Sequence, residues 1–274
     1  MKNKTYVITG ATSGIGRELL NVLASDNVVF AGYRNPAFEE ELNSISSNVY
    51  PFYIDYLYPE SIKPAADYIL SKCSKIDTLI NIAGCVVAGP IEKISIDEVK
   101  RQFDVNVFGH LEFSQSLLPN LTNGKIINVS SMASYGIFPF ISPYCASKKC
   151  LDMLFTSLLI ENKKNIKVVS IKPGVISTPL WNKSIEENSK YFDKYGDYSK
   201  EMKYLISNAE KNSRAGLSPK RVVKTILKAD KLNNPKLSYT VGTDAFIASF
   251  VEKIPQRLLN KLIKIGISLK SKNL

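Results

Sequence analysis

The chain has a single histidine, His110, in 274 residues, and its four cysteines (Cys73, Cys85, Cys145, Cys150) form no CxxC pair. Without companion ligands at zinc spacing, no metal site is expected. So few cysteines in a chain of this length do not make a disulfide framework, and reduced thiols in a cytoplasm-like compartment are expected. No apolar run approaches the roughly 18 residues that a membrane-spanning helix needs. The chain passes from Met1-Lys2-Asn3-Lys4 directly into a strand-like Thr5–Thr9, leaving no room for a secretory leader. There is no internal repeat and no low-complexity linker, which argues against a solenoid or a fibrous protein.

Acidic residues are also in short supply, 25 against 36 basic ones, for a net charge of +11. The imbalance is local. Residues 1–182 carry 17 basic and 16 acidic side chains, whereas residues 183–274 carry 19 and 9. A basic surplus is compatible with nucleic acid, an anionic membrane or cofactor phosphates. No nucleic-acid motif accompanies it, so a nucleic-acid partner is not expected.

Short β-branched runs alternate with helical patterns through residue 171. The runs are Tyr6–Thr9, Val28–Gly32, Val49–Ile54, Thr78–Ile82, Lys125–Val129 and Lys167–Ile171. Between them, apolar residues recur at three- and four-residue spacing, as in Leu19-Leu20-Leu23 and Leu151-Leu154-Leu158. This alternation predicts βαβ units and one α/β domain with a doubly wound parallel sheet covered on both faces. Residues 176–215 read as a substrate-loop insertion with Trp181, Tyr191, Phe192, Tyr195, Tyr198 and Tyr204 among polar residues. A Ser218-Pro219 start signal opens a helix over about 219–229, and Leu237–Val241 reads as a last strand.

The first strand ends in Thr9-Gly10-Ala11-Thr12-Ser13-Gly14-Ile15-Gly16 and a helix follows. Glycines there permit a tight turn and let a pyrophosphate approach free N–H groups at the helix start. This TGxxxGIG spacing resembles the short-chain dehydrogenase/reductase family, and the family's later signatures follow in order. They are Asp55, Asn81-Ile82-Ala83-Gly84 in place of the family's NNAG, Asn106, Ser131, Tyr144, Lys148, Pro173-Gly174 and Thr178. The stretch from Ser131 to Lys148 resembles the hydroxysteroid and retinol dehydrogenase branch. The resemblance covers residues 5 to about 245 and implies a Rossmann-type fold of about seven strands, assembled as a homodimer or homotetramer.

It also implies a nicotinamide cofactor held by Gly10, Thr12, Ser13, Gly14, Ile15, Gly16, Asp55, Asn81, Ala83, Gly84, Pro173, Gly174 and Thr178, with Ser177 as a competing hydroxyl. Tyr144 and Lys148 contribute to the same binding. The residue closing the second strand sets the cofactor, because an acid there would bind a ribose 2′-hydroxyl and repel a 2′-phosphate. The sequence instead offers Ala31-Gly32-Tyr33-Arg34-Asn35, and Arg34 with Ser13 favours NADP(H) over NAD(H).

Tyr144 and Lys148 stand at i and i+4, on one helix face. A free tyrosine titrates near pH 10, and the Lys148 ammonium, with the positive nicotinamide ring in the oxidised complex, is expected to bring Tyr144 down toward the range of a general base. The family resemblance implies that Ser131 holds the substrate oxygen and that Asn106 anchors a water linking Lys148 to solvent. His110 is read as an ordinary helix residue, Cys145 and Cys150 as packing residues, and Glu39-Glu40-Glu41 as a solvated face.

The expected substrate walls, Val86-Val87, Gly136–Phe140, Leu180-Trp181 and the aromatic insertion, are apolar. A lipophilic alcohol or ketone is therefore expected. A cofactor-binding regulator without catalysis is the competing class, and it would be expected to lack Tyr144 or Lys148. Residues 250–274 form a C-terminal extension. On a helical wheel, Arg257, Asn260, Lys261, Lys264 and Ser268 lie opposite Leu258, Leu259, Leu262, Ile263, Ile265 and Leu269. Such a helix is expected to meet an anionic membrane surface through 255–269, the substrate pocket or a second subunit.

Overall fold

A computed structural model describes residues 2–189 and 192–272, with the backbone alone at 192–194 and 267–272. In chain order the elements are β1 (Thr5–Ile8), α1 (Gly14–Leu23), β2 (Val28–Tyr33), α2 (Glu39–Asn43), β3 (Val49–Tyr53), α3 (Ile62–Lys72) and β4 (Thr78–Asn81). There follow α4 (Ile96–Phe103), α5 (Gly109–Leu117), β5 (Lys125–Val129), α6 (Ser142–Glu161), β6 (Lys167–Pro173) and α7 (Leu180–Ser189). The chain continues through α8 (Ser199–Ala215), α9 (Pro219–Lys231), β7 (Ser238–Val241), α10 (Thr243–Ala248) and α11 (Gln256–Lys272).

All seven strands join one parallel sheet in the order β3-β2-β1-β4-β5-β6-β7. The order reverses between β1 and β4, so a crevice opens there beyond the carboxyl ends of the strands. Alternate side chains feed two cores. Tyr6, Ile8, Ile80, Ile127 and Val169 pack with Leu19, Leu20 and Leu23 of α1 and Val222 and Ile226 of α9. Val7, Phe30, Leu79, Ile126 and Val168 pack with Ile69 of α3, Phe113 and Leu117 of α5, and Leu151 and Phe155 of α6. Burial on both faces is why these strands are apolar throughout.

The boundaries differ from expectation for local reasons. Thr9 leaves β1 because its Oγ1 accepts the N–H groups of Ile82 (2.9 Å) and Ala83 (3.2 Å). β6 runs on to Pro173 because β7 pairs with it as far as Val241. Asn106 does not lie in an unbroken helix, since a π-helical turn, Asp104–Phe108, separates α4 from α5. The 176–215 segment is mostly helical, as α7 and α8, with Tyr195 buried against Gly89. Tyr191 and the Phe192 side chain lie outside the described residues, as do the side chains of Ser268 and Leu269.

The amino ends of the strands are tied at buried Asp230 of α9. Its carboxylate accepts from Tyr6 Oη (2.8 Å), Thr78 Oγ1 (2.6 Å) and Lys4 Nζ (3.1 Å), and Lys125 Nζ donates to its main-chain carbonyl (2.6 Å). Removing one partner from a buried charged cluster strands the others. Asp230→Ala is expected to lower the unfolding free energy in urea by about 3–5 kcal/mol. In the same titration, Asp26→Ala, at the exposed Lys2 pair, costs about 1 kcal/mol or less.

Candidate active site

The site begins at the turn between β1 and α1. Gly10 (φ +69°) and Gly14 (φ +53°) adopt the left-handed conformation that favours glycine. A Cβ on Gly10 would lie 3.1 Å from the Ala83 backbone, and one on Gly14 3.1 Å from Thr178 Cγ2. Ser13 holds the N-cap position of α1, yet its hydroxyl makes no capping hydrogen bond. A helix N-terminus with exposed N–H groups, an unspent hydroxyl and no side-chain bulk in front fits a pyrophosphate.

Arg34 stands exposed just beyond β2, and among the described residues no acidic side chain pairs with it. Asp55 follows β3, with Oδ1 accepting the Leu57 N–H at 3.0 Å. Beyond β6, Pro173, Gly174 and Thr178 border the same cleft, which has a volume of about 280 Å³. Ser177 turns away and donates to Ser213 O at 2.5 Å, which separates it from Thr178.

The second half of the cleft lies where β5 meets α6. Ser131 is the N-cap of a short 3₁₀ turn, its Oγ accepting the Ala133 N–H at 3.1 Å. Tyr144 is its neighbour in the cleft, with a phenol pushed up to about 12, chiefly by burial and against the pull of the Ser131 hydroxyl. Lys148 Nζ lies 5.8 Å from the Tyr144 ring centroid and donates to Val129 O at 3.0 Å. Burial pushes this ammonium down to about 8, opposed by the Asp152 carboxylate. From the protein's own groups, desolvation of the phenolate outweighs the pull of Ser131, so the phenol stands above its ordinary value where the sequence pointed to a lowered one.

Of the expected residues, Gly10, Thr12, Ser13, Gly14, Ile15, Arg34, Asp55, Ala83, Gly84, Ser131, Tyr144, Lys148, Pro173, Gly174 and Thr178 border this one cleft. Three do not. A Cβ on Gly16 would run into the Gly10 carbonyl, so Gly16 sets the closeness of α1 to β1. Asn81 is buried behind the cleft, its amide donating to Asn128 Oδ1 (2.9 Å) and Ser114 Oγ (3.2 Å), so it ties β4 to β5 and α5 and lies outside the cleft lining. Asn106 is also buried, with Oδ1 accepting the Cys85 N–H (3.0 Å) and Nδ2 donating to Cys85 O and Ser147 Oγ (each 3.1 Å). Its side chain is fully used in fixing the loop after β4 and the helix that carries Lys148.

A model of the short-chain dehydrogenase family matches residues 4–189. The chain belongs to that family. A 3-ketodihydrosphingosine reductase of Bacteroides thetaiotaomicron is 27% identical, covering 97% of this chain and 98% of that protein. Mouse estradiol 17-beta-dehydrogenase 2 is 31% identical, covering 96% of this chain and 74% of the relative, which places this chain in the hydroxysteroid/retinol-like branch. A solved short-chain dehydrogenase from Streptomyces avermitilis, 25% identical, superposes with a TM-score of 0.76 over 98% of each chain. The protein is thus a short-chain dehydrogenase, an oxidoreductase with a nicotinamide dinucleotide cleft.

His110 in this dehydrogenase is a prop. Its Nε2 lies 2.8 Å from Ala83 O, so it must be the donor, and burial holds the ring neutral by pushing it down to about 3. Burial also pushes Cys85 up to about 11, so the cleft holds a thiol and not a thiolate. Among the described residues no group of three or more His, Cys, Asp or Glu could hold a metal ion.

Sequence reasoning missed the side chains that shape the cleft from outside it. Asp244 fixes the Pro173-Gly174-Val175 turn by accepting the Val175 N–H at 2.7 Å, and a Cβ on Gly174 would overlap its carboxylate. Gln102 braces the loop after β4, accepting from Val87 N (2.6 Å) and donating to Cys85 O (2.8 Å). Asn188 at the end of α7 latches onto that loop like an added strand residue. Its Oδ1 accepts the Ala88 N–H (2.9 Å), and its Nδ2 donates to Val86 O (2.8 Å). An Arg101–Glu187 pair at 3.0 Å reinforces the latch. An asparagine or an acid in a polar stretch carries no sequence signal for such contacts; the start of α10 at Gly242-Thr243-Asp244 was the one cue. Asn188→Ala leaves buried amide groups unpaired, at a cost of about 1–3 kcal/mol. Limited proteolysis within residues 180–215 is expected to speed up about tenfold.

Proposed function

We propose that this short-chain dehydrogenase is an NADP(H)-dependent reductase of a lipophilic ketone, giving the alcohol with Tyr144 as the proton donor. The observation that carries the reading is Ser131, Tyr144 and Lys148 converging beside a glycine cradle in one cleft. The cofactor supplies the hydride. Ser131 orients the substrate oxygen, and Tyr144 gives it a proton as negative charge develops. Lys148 has two N–H donors beyond its bond to Val129, enough to grip a ribose hydroxyl and to stabilise the phenolate left behind. A non-catalytic regulator has no need of this paired Tyr–Lys geometry.

The raised phenol is compatible with the role of proton donor in reduction. A phenol pushed up to about 12 keeps its proton at neutral pH and acts as an acid, whereas oxidation needs the phenolate. Because the Asn106 side chain is committed, a relay water at this residue would have to use its main-chain carbonyl. The π turn supports that route, since it interrupts the α-helical ladder there. In this reading Asp55 meets an adenine amino group and Thr178 a carboxamide, which their position on the cleft wall supports.

Arg34 supports NADP(H) because an unpaired guanidinium at this strand end can fork onto a 2′-phosphate. The apolar substrate reading is supported by a second cavity of about 420 Å³. It shares Val86, Met132, Phe138, Ile141, Val175 and Trp181 with the catalytic cleft and continues along α8. The relative that reduces 3-ketodihydrosphingosine agrees with a long-chain ketone. We also propose a homodimer or homotetramer, since Phe108, Met153 and Ile160 stand exposed on the π turn and α6.

Three measurements test the reading. Tyr144→Phe is expected to lower kcat for ketone reduction by about 10³-fold while NADPH binding, followed by fluorescence, persists; full turnover would overturn the mechanism. Arg34→Asp is expected to cut kcat/KM with NADPH at least about tenfold and to spare NADH. With pH, reduction should hold through neutrality and fall above about 8 as Lys148 loses the charge that stabilises phenolate.

A further inference from the structure

The C-terminal helix α11 divides into three sectors. At about 100° per residue, Leu259, Ile263 and Gly266 share the side turned to the protein. Leu259 is buried, and Ile263 and Gly266 wall the 420 Å³ cavity. Leu258, Leu262 and Ile265 occupy the next sector, an arc of about 60°, and are bare to solvent at 51%, 51% and 47% exposure. Arg257, Lys261 and Lys264 form the sector beyond, all exposed. Residues 256–272 contain five basic side chains and no acidic one. The apolar half of the helical wheel is thus split, with one part lining the cavity and the other left uncovered beside a cationic edge.

We propose that this uncovered sector of α11 docks on an anionic lipid bilayer surface, with Leu258, Leu262 and Ile265 entering the acyl boundary and the cations lying among the headgroups. An aliphatic stripe bordered by lysine and arginine matches that chemistry. The stripe gains from burial, and each cation near an anionic surface adds to the attraction. A second copy of the chain fits poorly, because it would bring like charges together. Three half-exposed aliphatic side chains also fall well short of the roughly 800 Å² per partner of a stable interface. No helix among the described residues is long and apolar enough to cross a membrane, so the contact is superficial.

Docking here also sets an entry route. The adjoining sector of the same helix walls the apolar cavity that leads to Ser131 and Tyr144, so a lipophilic ketone dissolved in the bilayer would reach the cleft past Ile263 and Gly266. The route rests on the lipophilic-substrate reading; the docking does not.

The test is flotation of the full chain with phosphatidylcholine vesicles, with and without phosphatidylglycerol. Flotation is expected on the mixed vesicles, much less on phosphatidylcholine alone, and less at raised salt. The triple variant Leu258→Ser/Leu262→Ser/Ile265→Ser is expected to lose at least about tenfold in partitioning with an unchanged melting temperature. Lys261→Glu/Lys264→Glu should lose a similar amount. Equal flotation of native and triple variant, equal flotation on the two lipids, or none at all overturns the docking. So does a variant that changes the oligomeric mass instead of flotation. Flotation needs no turnover, so an inactive chain that floats sinks the reductase reading and leaves the docking standing. For the route, the triple variant should lose kcat/KM for a vesicle-borne long-chain ketone and keep it for a short soluble one. Equal values for both would overturn the route.

Discussion

A buried ammonium is the constraint around which the catalytic half of this molecule is arranged. Lys148 is almost without solvent contact, and burial works against its charge. The Val129 carbonyl at the end of β5 and the Asp152 carboxylate one helical turn further along keep it cationic in the neutral range. Asp152 is in turn fixed from β6, by Ser170 Oγ at 2.9 Å and Lys172 Nζ at 2.9 Å. Lys172 lies 4.5 Å from the Tyr135 ring centroid, and the Tyr135 hydroxyl reaches Thr240 of β7 at 2.8 Å. The charge beside Tyr144 therefore depends on three strands and on α6 together. Its sign is costly for stability, because the unfolded lysine holds its proton more tightly than the folded one. Stability on this account rises as pH passes from about 8 toward 10.4, the reverse of what the proposed chemistry wants.

The two edges of the sheet have been put to different uses. At the amino ends of the strands every polar group around Asp230 is hydrogen-bonded across long sequence separations, which locks the layers in register. At the carboxyl ends the close approaches are made by glycine, and donors are left without protein partners, as at Ser13. A rigid base under an open rim is what a cofactor cleft at a strand-order reversal requires.

The sheet could be read from the sequence because its five inner strands are buried on both faces, and the cleft because its residues occur in short runs with fixed spacing. What escaped was set by partners far away in the chain. Asn81 looks like a ligand group in its motif, yet Ser114 and Asn128, 33 and 47 residues on, claim its amide. Asn188 meets its loop across 100 residues. The Tyr144 titration escaped for a different reason. The lysine four residues on is visible in sequence, whereas the desolvation that outweighs it is a property of the folded surroundings.

The basic surplus of the last third takes its meaning from the same distinction between sequence and surroundings. A helical wheel of α11 gives one apolar face, and such a face has one obvious use. Folding divides it, because α8 and the cavity accept only Leu259, Ile263 and Gly266 and turn Leu258, Leu262 and Ile265 outward. Ile263 and Gly266 of the protein-facing sector wall an apolar cavity of about 420 Å³. The outer sector can change its surroundings without disturbing the fold. A single helix can therefore line an apolar chamber and present a separate apolar stripe, and the cations beside that stripe favour an anionic surface as what meets it.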